Sequence, residues 1–232
     1  MMKRMILTVA LGIMALATTQ AQSYRHSKYY NPQTGRLDYS QRSRPGYWHD
    51  GTTYYGLRVG PAFATVNSDD KYLDGSSMKT GLNVGLAAGF NIARYAPLFL
   101  ETGIYYTEKG GRGQADGDRF TYSLNYMEVP LMLKYKYHVD RSLSVEPFLG
   151  GYVACGISGK IKDFGQRAAY SSFSSSPYSF EHFDGGLRMG CGLSYDLFYA
   201  ELGYDLGLAN ISHDDFDESR NGTLMLTVGV NF

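Results

Sequence analysis

From Tyr54 to the end of the chain, apolar and polar residues alternate in long runs. Between Gly81 and Ile92, one parity holds Leu82, Val84, Leu86, Ala88, Phe90 and Ile92, and the other holds Gly81, Asn83, Gly85, Ala87, Gly89 and Asn91. A helix cannot sort these residues onto two faces, whereas a strand does so at every step. The last residues repeat the pattern, with Leu224, Leu226, Val228, Val230 and Phe232 opposed to Thr223, Met225, Thr227, Gly229 and Asn231. The same periodicity predicts strands at about 54–66, 80–93, 98–109, 121–137, 143–159, 182–195, 197–209 and 222–232. Their number is even, and they reach the roughly 9–11 residues that a tilted strand needs to cross a bilayer.

The connections between these strands alternate in length. Asn67–Lys79, Lys109–Phe120, Lys160–Glu181 and Asn210–Asn221 are long, while Arg94–Pro97, His138–Ser142 and Tyr195-Asp196-Leu197 are short. Long loops at one end and short turns at the other are the pattern of membrane barrels, with the turns in the periplasm and the loops outside. The expected fold is therefore all-β, an eight-stranded antiparallel up-and-down transmembrane β-barrel with both chain ends on the periplasmic side.

Composition bears on which face meets lipid. The mean hydropathy of -0.28 suits a soluble protein, and beyond Ala17 no apolar run is long enough for a spanning helix. Membrane barrels escape both tests, because alternation averages the hydropathy. A soluble barrel would turn its apolar row inward. Against that, the polar row is rich in glycine (Gly60, Gly85, Gly89, Gly103, Gly150, Gly186, Gly190, Gly203, Gly229), which suits a crowded lumen. Aromatic residues gather near strand ends, as at Tyr106, Tyr135, Tyr137, Tyr195, Phe198 and Phe232, where interfacial girdles belong. Leu82, Val84, Leu86, Phe90, Leu131, Leu133, Leu224 and Leu226 are then lipid-facing.

The charged residues within the strands, Arg58, Glu101, Glu128, Lys134, Lys136, Glu146, Arg188, Glu201 and Asp205, all fall on the other row. On the lipid side a mid-plane Lys or Arg would cost about 2–4 kcal/mol. Inside, opposite charges can pair, and one continuous ion-pair network plugging the lower lumen is expected. Arg58, Glu101, Lys134, Glu146 and Glu201 should lie at similar heights, with Arg188 and Glu128 higher. The alternative is a selectivity ring or proton path, but an eight-stranded barrel is only wide enough for its own side chains.

The first residues have the layout of a secretory signal peptide: Lys3 and Arg4, an apolar run from Met5 to Ala17, then Thr19-Gln20-Ala21 as a cleavage site. This predicts a signal peptide at 1–21, a flexible periplasmic extension at 22–52 that is polar, Tyr-rich and mildly basic, and a barrel domain at 53–232. No Cys near the cleavage site suggests a lipid tether. Export to the outer membrane of a Gram-negative bacterium follows. The net charge of +0 gives no reason to expect a nucleic-acid partner. Cys155 and Cys191 should both point to lipid at different heights, too far apart for a disulfide.

Three stretches carry a family resemblance. Leu100-Glu101-Thr102-Gly103-Ile104-Tyr105-Tyr106-Thr107-Glu108-Lys109-Gly110 and Leu124-Asn125-Tyr126-Met127-Glu128-Val129-Pro130-Leu131-Met132-Leu133-Lys134 resemble the third and fourth strands of Bacteroidetes-type outer-membrane β-barrel proteins, the PorT-like "porin family". Pro147-Phe148-Leu149-Gly150-Gly151-Tyr152 is similar to the fifth. The resemblance spans roughly Tyr54 to Phe232. It implies an eight-stranded barrel broadly like the OmpA transmembrane domain, with a structural, assembly-associated or secretion-associated role and a periplasmic or secretion-system partner. Phe232, with Val230 and Val228, resembles the terminal signal read by the barrel assembly machinery. Outer-membrane lipid and lipopolysaccharide are the remaining expected partners.

Other chemistry is thinly supported, and the protein is read as non-enzymatic. Some small barrels are lipid A hydrolases or acyltransferases that use His with Ser and a carboxylate at the outer rim. The candidates here are His182 beside Glu181, and His213 within Ser212-His213-Asp214-Asp215. The serines of 171–179 have no motif around them. Asp214-Asp215-Phe216-Asp217-Glu218 and Ser68-Asp69-Asp70 offer oxygens for Ca²⁺ without the spacing of a calcium loop. No zinc cluster is visible and no cofactor is expected. The Tyr- and Ser-rich loop 160–181 is the candidate for recognising an external ligand.

Overall fold

The computed structural model describes residues 30–31, 36–37, 53–68, 75–93, 96–115, 118–139, 142–163, 170–173, 181–211 and 219–232. Eight long strands are Thr53–Ser68 (β1), Gly75–Asn91 (β2), Leu98–Ala115 (β3), Asp118–Tyr135 (β4), Leu143–Asp163 (β5), Phe183–Tyr195 (β6), Phe198–Gly207 (β7) and Ser219–Asn231 (β8). Each pairs antiparallel with its neighbours in sequence, and β8 pairs with β1. The sheet is therefore a closed eight-stranded barrel with no free edge. In the separate N-terminal unit, the described feature is a short ladder of Tyr30–Asn31 against Arg36–Leu37. The expected signal peptide at 1–21 lies outside the described residues.

The register fixes the barrel's dimensions. Following paired residues from Tyr55 through Ala88, Thr102, Leu131, Gly151, Leu187, Leu206 and Gly222 returns to β1 at Thr65, ten residues further along than the start. A stagger of ten over eight strands tilts them by about 40° and sets the backbone radius near ~8 Å, so each residue climbs about 2.5 Å along the axis. A bore of that size is filled by side chains alone.

At one end the turns are short. β6 and β7 are joined by Asp196-Leu197, with Asp196 at φ 50, in the left-handed region that Asp tolerates better than most residues. Tyr137–His138 prolong the β4–β5 hairpin by pairing with Ser144 and Val145.

The loop end differs from expectation. Lys109–Phe120 is not a long loop: β3 and β4 stay paired up to Ala115 and Asp118, leaving only Asp116-Gly117 between them. Asp-Gly is the dipeptide that favours two-residue hairpins. β2 likewise begins at Gly75, and β5 continues to Asp163. β3, β4 and β5 run for 18, 18 and 21 residues, against 13, 10 and 13 for β6, β7 and β8, so one side of the rim stands well above the other.

Inside the taller half lies an apolar cluster that includes Leu124, Tyr126, Ile161, Phe173 and Ile211. The Phe173 ring meets Tyr126 edge-on and stacks on His182. Gly156 makes room for it, since a Cβ there would lie 2.4 Å from the ring. Ser172, whose hydroxyl donates to the Ser123 carbonyl at 2.8 Å, pins the same segment to the wall.

Candidate functional site: the barrel lumen

Alternation turns the even residues of β1, β4 and β6 and the odd residues of β2, β3, β7 and β8 into the bore, together with the even residues of β5 up to Gly156. The lumen charges are therefore brought together by register, and they form two tiers where one network was expected.

The tier near the turns is centred on Lys134. Its Nζ lies 2.9 Å from Glu101 Oε2, 3.8 Å from Glu146 and 3.9 Å from Glu201, and donates to the Tyr199 hydroxyl at 2.7 Å. Tyr199 in turn donates to Glu201 at 2.5 Å, and the Tyr54 hydroxyl donates to Glu101. Ser194 donates to Glu146 at 2.6 Å. Arg58 lies 3.9 Å from Glu101, stacks its guanidinium 3.9 Å above the Tyr199 ring and donates to the Asn231 side chain at 2.6 Å. Lys136 is a peripheral member, 3.9 Å from Glu146 and partly exposed, because it follows the last residue of β4.

The tier nearer the loops holds Arg188 and Lys109 with three carboxylates. Arg188 grips Asp205 with two parallel hydrogen bonds of 2.6 and 2.7 Å and also donates to Glu128. Lys109 Nζ sits 3.0 Å from Glu128, 3.3 Å from Asp184 and 3.4 Å from Asp205, and 4.1 Å from the centre of the Tyr152 ring. Asn221 donates to Asp184 at 2.9 Å. All five charged residues are buried. Burial of this kind is tolerable only because each charge has partners, and removing one of them exposes the rest to the full desolvation penalty.

Between the tiers lie Met132, Met225, Phe148 and Tyr105, all buried. Among the ion pairs of the described residues, those of the lower tier and those of the upper tier share no member. Glycines make it possible: a Cβ on Gly190 would come within 2.6 Å of the Phe148 ring, and one on Gly85 within 2.5 Å of the Tyr105 ring. The Tyr105 ring lies 5.8 Å from the Arg188 guanidinium, so the layer contacts the upper tier from below.

Two members of the upper tier escaped the sequence reading. Lys109 falls where the sequence predicts the start of a loop, although it continues the odd parity of Glu101. Asp184 shares the even parity of Arg188 on one strand and was legible by the rule that found Arg188. The hydroxyls of Tyr54 and Tyr199, which complete the lower tier, also continue the inward parity of their strands.

A family model described as "Outer membrane protein beta-barrel domain" matches residues 39–213. The chain belongs to that family. No curated protein sequence matches it significantly. Solved structures similar to this outer-membrane β-barrel include Ail, the attachment invasion locus protein of Yersinia pestis, at 18% identity and TM-score 0.41, covering 78% of this chain and 100% of that one. Neisserial surface protein A is 17% identical with TM-score 0.44, covering 78% and 98%. The Escherichia coli outer membrane protein W is 15% identical with TM-score 0.44, covering 80% and 100%.

On the outer face of the barrel, Leu82, Leu86, Phe90, Leu131, Leu133, Leu224 and Leu226 are exposed. Val84 also faces outward but is half-covered between Val59 and Tyr106, its partners on the flanking strands. Tyr55, Tyr135, Tyr137, Tyr195 and Phe198 form an exposed aromatic belt at the turn end. Val228 is exposed, Val230 is half-buried, and Phe232 follows β8 with an exposed side chain. Cys155 and Cys191 carry free thiols on the outer face; Cys155 pairs with Phe183, eight residues along β6 from Cys191.

His182 donates from Nδ1 to the Gly156 carbonyl at 2.9 Å, and its ring rests on Phe173. His213 with its neighbours, Asp69-Asp70, the acidic stretch 214–218 and most of loop 160–181 lie outside the described residues.

Proposed function

We propose that the protein is a non-enzymatic, closed-bore outer-membrane barrel that anchors and presents its loops, with its short turns in the periplasm and its long loops outside the cell. The filled bore carries this reading. Two ion-paired tiers, the Met–aromatic layer between them and the Phe173–Tyr126 cluster above leave each height of the lumen occupied. The refolded chain in planar bilayers should give no conductance steps. Stable, reproducible channels from the wild-type protein would defeat the proposal.

The finer assignments rest on sequence. The strand motifs support a PorT-like role linked to assembly or secretion, and crosslinking of intact envelopes, followed by identification of proteins bound to residues 22–52, tests it. The leader pattern supports cleavage after Ala21, which the mature N-terminus would reveal. Phe232, Val230 and Val228 fit a terminal assembly signal. Deleting Phe232 should slow insertion by the barrel assembly machinery while leaving unassisted refolding in detergent largely intact.

A second reading, recognition of an external ligand through loop 160–181, is supported by the way Ser172 and Phe173 root that loop in the barrel. A rooted base reduces the entropy lost when a loop binds. Deleting 174–180 should then abolish binding to host or envelope material without changing heat-modifiable migration. For a lipid A hydrolase or acyltransferase, the supporting result would be acyl release from lipopolysaccharide that disappears in His213→Ala.

A further inference from the structure

The outward row of the tall wall changes character abruptly with height. On β4 it reads Tyr135, Leu133, Leu131, Val129 and Met127, then Asn125, Ser123 and Thr121. On β5 it reads Leu149, Val153, Cys155 and Ile157, then Ser158, Lys160 and Lys162. On β3, Ile104 and Tyr106 give way to Glu108 and then Arg112. Arg112 pairs with Thr121, which pairs with Lys162, so the Arg and the Lys flank one residue in a single row across three strands. Lys160, paired with Ser123, lies two positions below Lys162. At about 4.8 Å between strands and 3.3 Å between residues, the three side chains are rooted within ~12 Å of one another.

The two lysines face outward because of one local irregularity. Below it, the even residues of β5, such as Tyr152 and Ala154, point into the bore. Asn125 then pairs with Ser158 while Tyr126 pairs with Gly156, so Ile157 is an extra residue in β5. Such a bulge shifts the alternation by one. Above it Ile161 is buried, and Lys160 and Lys162 are exposed. The nearest outward carboxylate on β3, Glu108, is engaged by the Leu82 backbone N–H at 3.1 Å and the Tyr106 hydroxyl at 3.2 Å. Among the described residues, Arg112, Lys160 and Lys162 belong to neither of the two ion-paired tiers.

The height of this patch identifies what it meets. Measured along β4 from the aromatic belt at Tyr135, Ser123 and Thr121 are about 30 and 35 Å up the barrel axis. The apolar band of an outer-membrane barrel is about 25 Å tall. The three cations therefore stand just beyond the acyl chains, on an outer surface that faces neighbouring lipids. Taking the outer-membrane placement as given, we infer that Arg112, Lys160 and Lys162 form a one-sided binding surface for the anionic phosphate headgroups of membrane lipids. Arg supplies a planar fork suited to phosphate oxygens, and the two Lys supply mobile point charges. The short β6–β7–β8 side, where the strands end earlier, carries no equivalent row among the described residues, so bound anionic lipid orders one flank of the barrel.

The test uses the full chain refolded in phosphatidylcholine vesicles carrying trace spin-labelled lipids. The motionally restricted fraction of labelled phosphatidylglycerol should exceed that of labelled phosphatidylcholine by about fivefold or more at low salt, the factor expected for one engaged cation. The preference should shrink in high salt. In Arg112→Gln/Lys160→Gln/Lys162→Gln it should fall to near equality, with heat-modifiable migration reporting that the barrel still forms. Each single variant, which carries less folding risk, should lose part of the preference. Equal restriction of both lipids in the wild-type protein, or a preference that survives the triple substitution, would overturn the inference. So would full displacement of the anionic lipid by millimolar inorganic phosphate, which would make this a site for the free ion. Conductance measured on the same samples reports separately on the closed bore.

Discussion

Lys109→Met keeps the length of the side chain at the centre of the upper tier and removes its charge. Lys109 Nζ now faces Glu128, Asp184 and Asp205 at 3.0, 3.3 and 3.4 Å. Without it, Glu128 and Asp205 share Arg188 alone, and Asp184 is left with neutral donors, Asn221 and Tyr152. Removing one partner of a buried ion pair costs about 3–5 kcal/mol, most of it the penalty of leaving the remaining charge uncompensated. Unfolding in urea from lipid vesicles, followed by circular dichroism and by the shift between folded and unfolded bands on unheated gels, should show a loss of about that size. The argument rests on stranded charge rather than on lost packing, so Lys109→Met/Asp184→Asn should recover about 1–3 kcal/mol, the usual coupling of residues in one network. A Lys109→Met barrel within about 0.5 kcal/mol of wild type would refute the reasoning, as would a double variant no more stable than the single.

Three further outcomes follow from the same geometry. Leu131→Arg, on the outer face at mid-height, should destabilise the barrel by about 2–4 kcal/mol in a bilayer, and the loss is read by the same urea titration. Gly190→Leu should overpack the layer between the tiers, where Phe148 stands 2.6 Å from the position of a Cβ, costing about 1–3 kcal/mol or more in thermal unfolding. Cys191 should resist a charged maleimide in intact vesicles and react after denaturation. Oxidation should not join it to Cys155, because eight residues of strand place the two thiols about 26 Å apart.

The parts of this fold that were legible in the sequence are those where lipid and bore impose opposite demands on neighbouring residues. Leu82 to Phe90 alternates cleanly because one row lies on the barrel's apolar outer face and the other fills the lumen. Above the bilayer that contrast vanishes. The stretch from Gly110 to Ala115 is polar and glycine-rich on both rows, so it looks like a loop while it continues β3, and the Asp116-Gly117 turn signal is the available correction. The bulge at Ile157 reverses parity without any local composition cue, so nothing in the spacing of Lys160 and Lys162 reveals that both face outward. The division of the lumen charges into two tiers depends on the ten-residue stagger, which joins Lys134 of β4 to Glu201 of β7 and Lys109 of β3 to Asp184 of β6. Alternation places each charge in the bore but says nothing about which charges meet.

The most direct test of the account is collision accessibility of a spin label moved one residue at a time from Thr223 to Val228 in a cysteine-free background, with the protein in lipid vesicles. Labels at Leu224, Leu226 and Val228 should be open to oxygen and closed to a water-soluble nickel complex, whereas labels at Thr223, Met225 and Thr227 should be shielded from both. Nickel reaching the second group would mean a water-filled bore, and nickel reaching the first would mean that the apolar row does not face lipid.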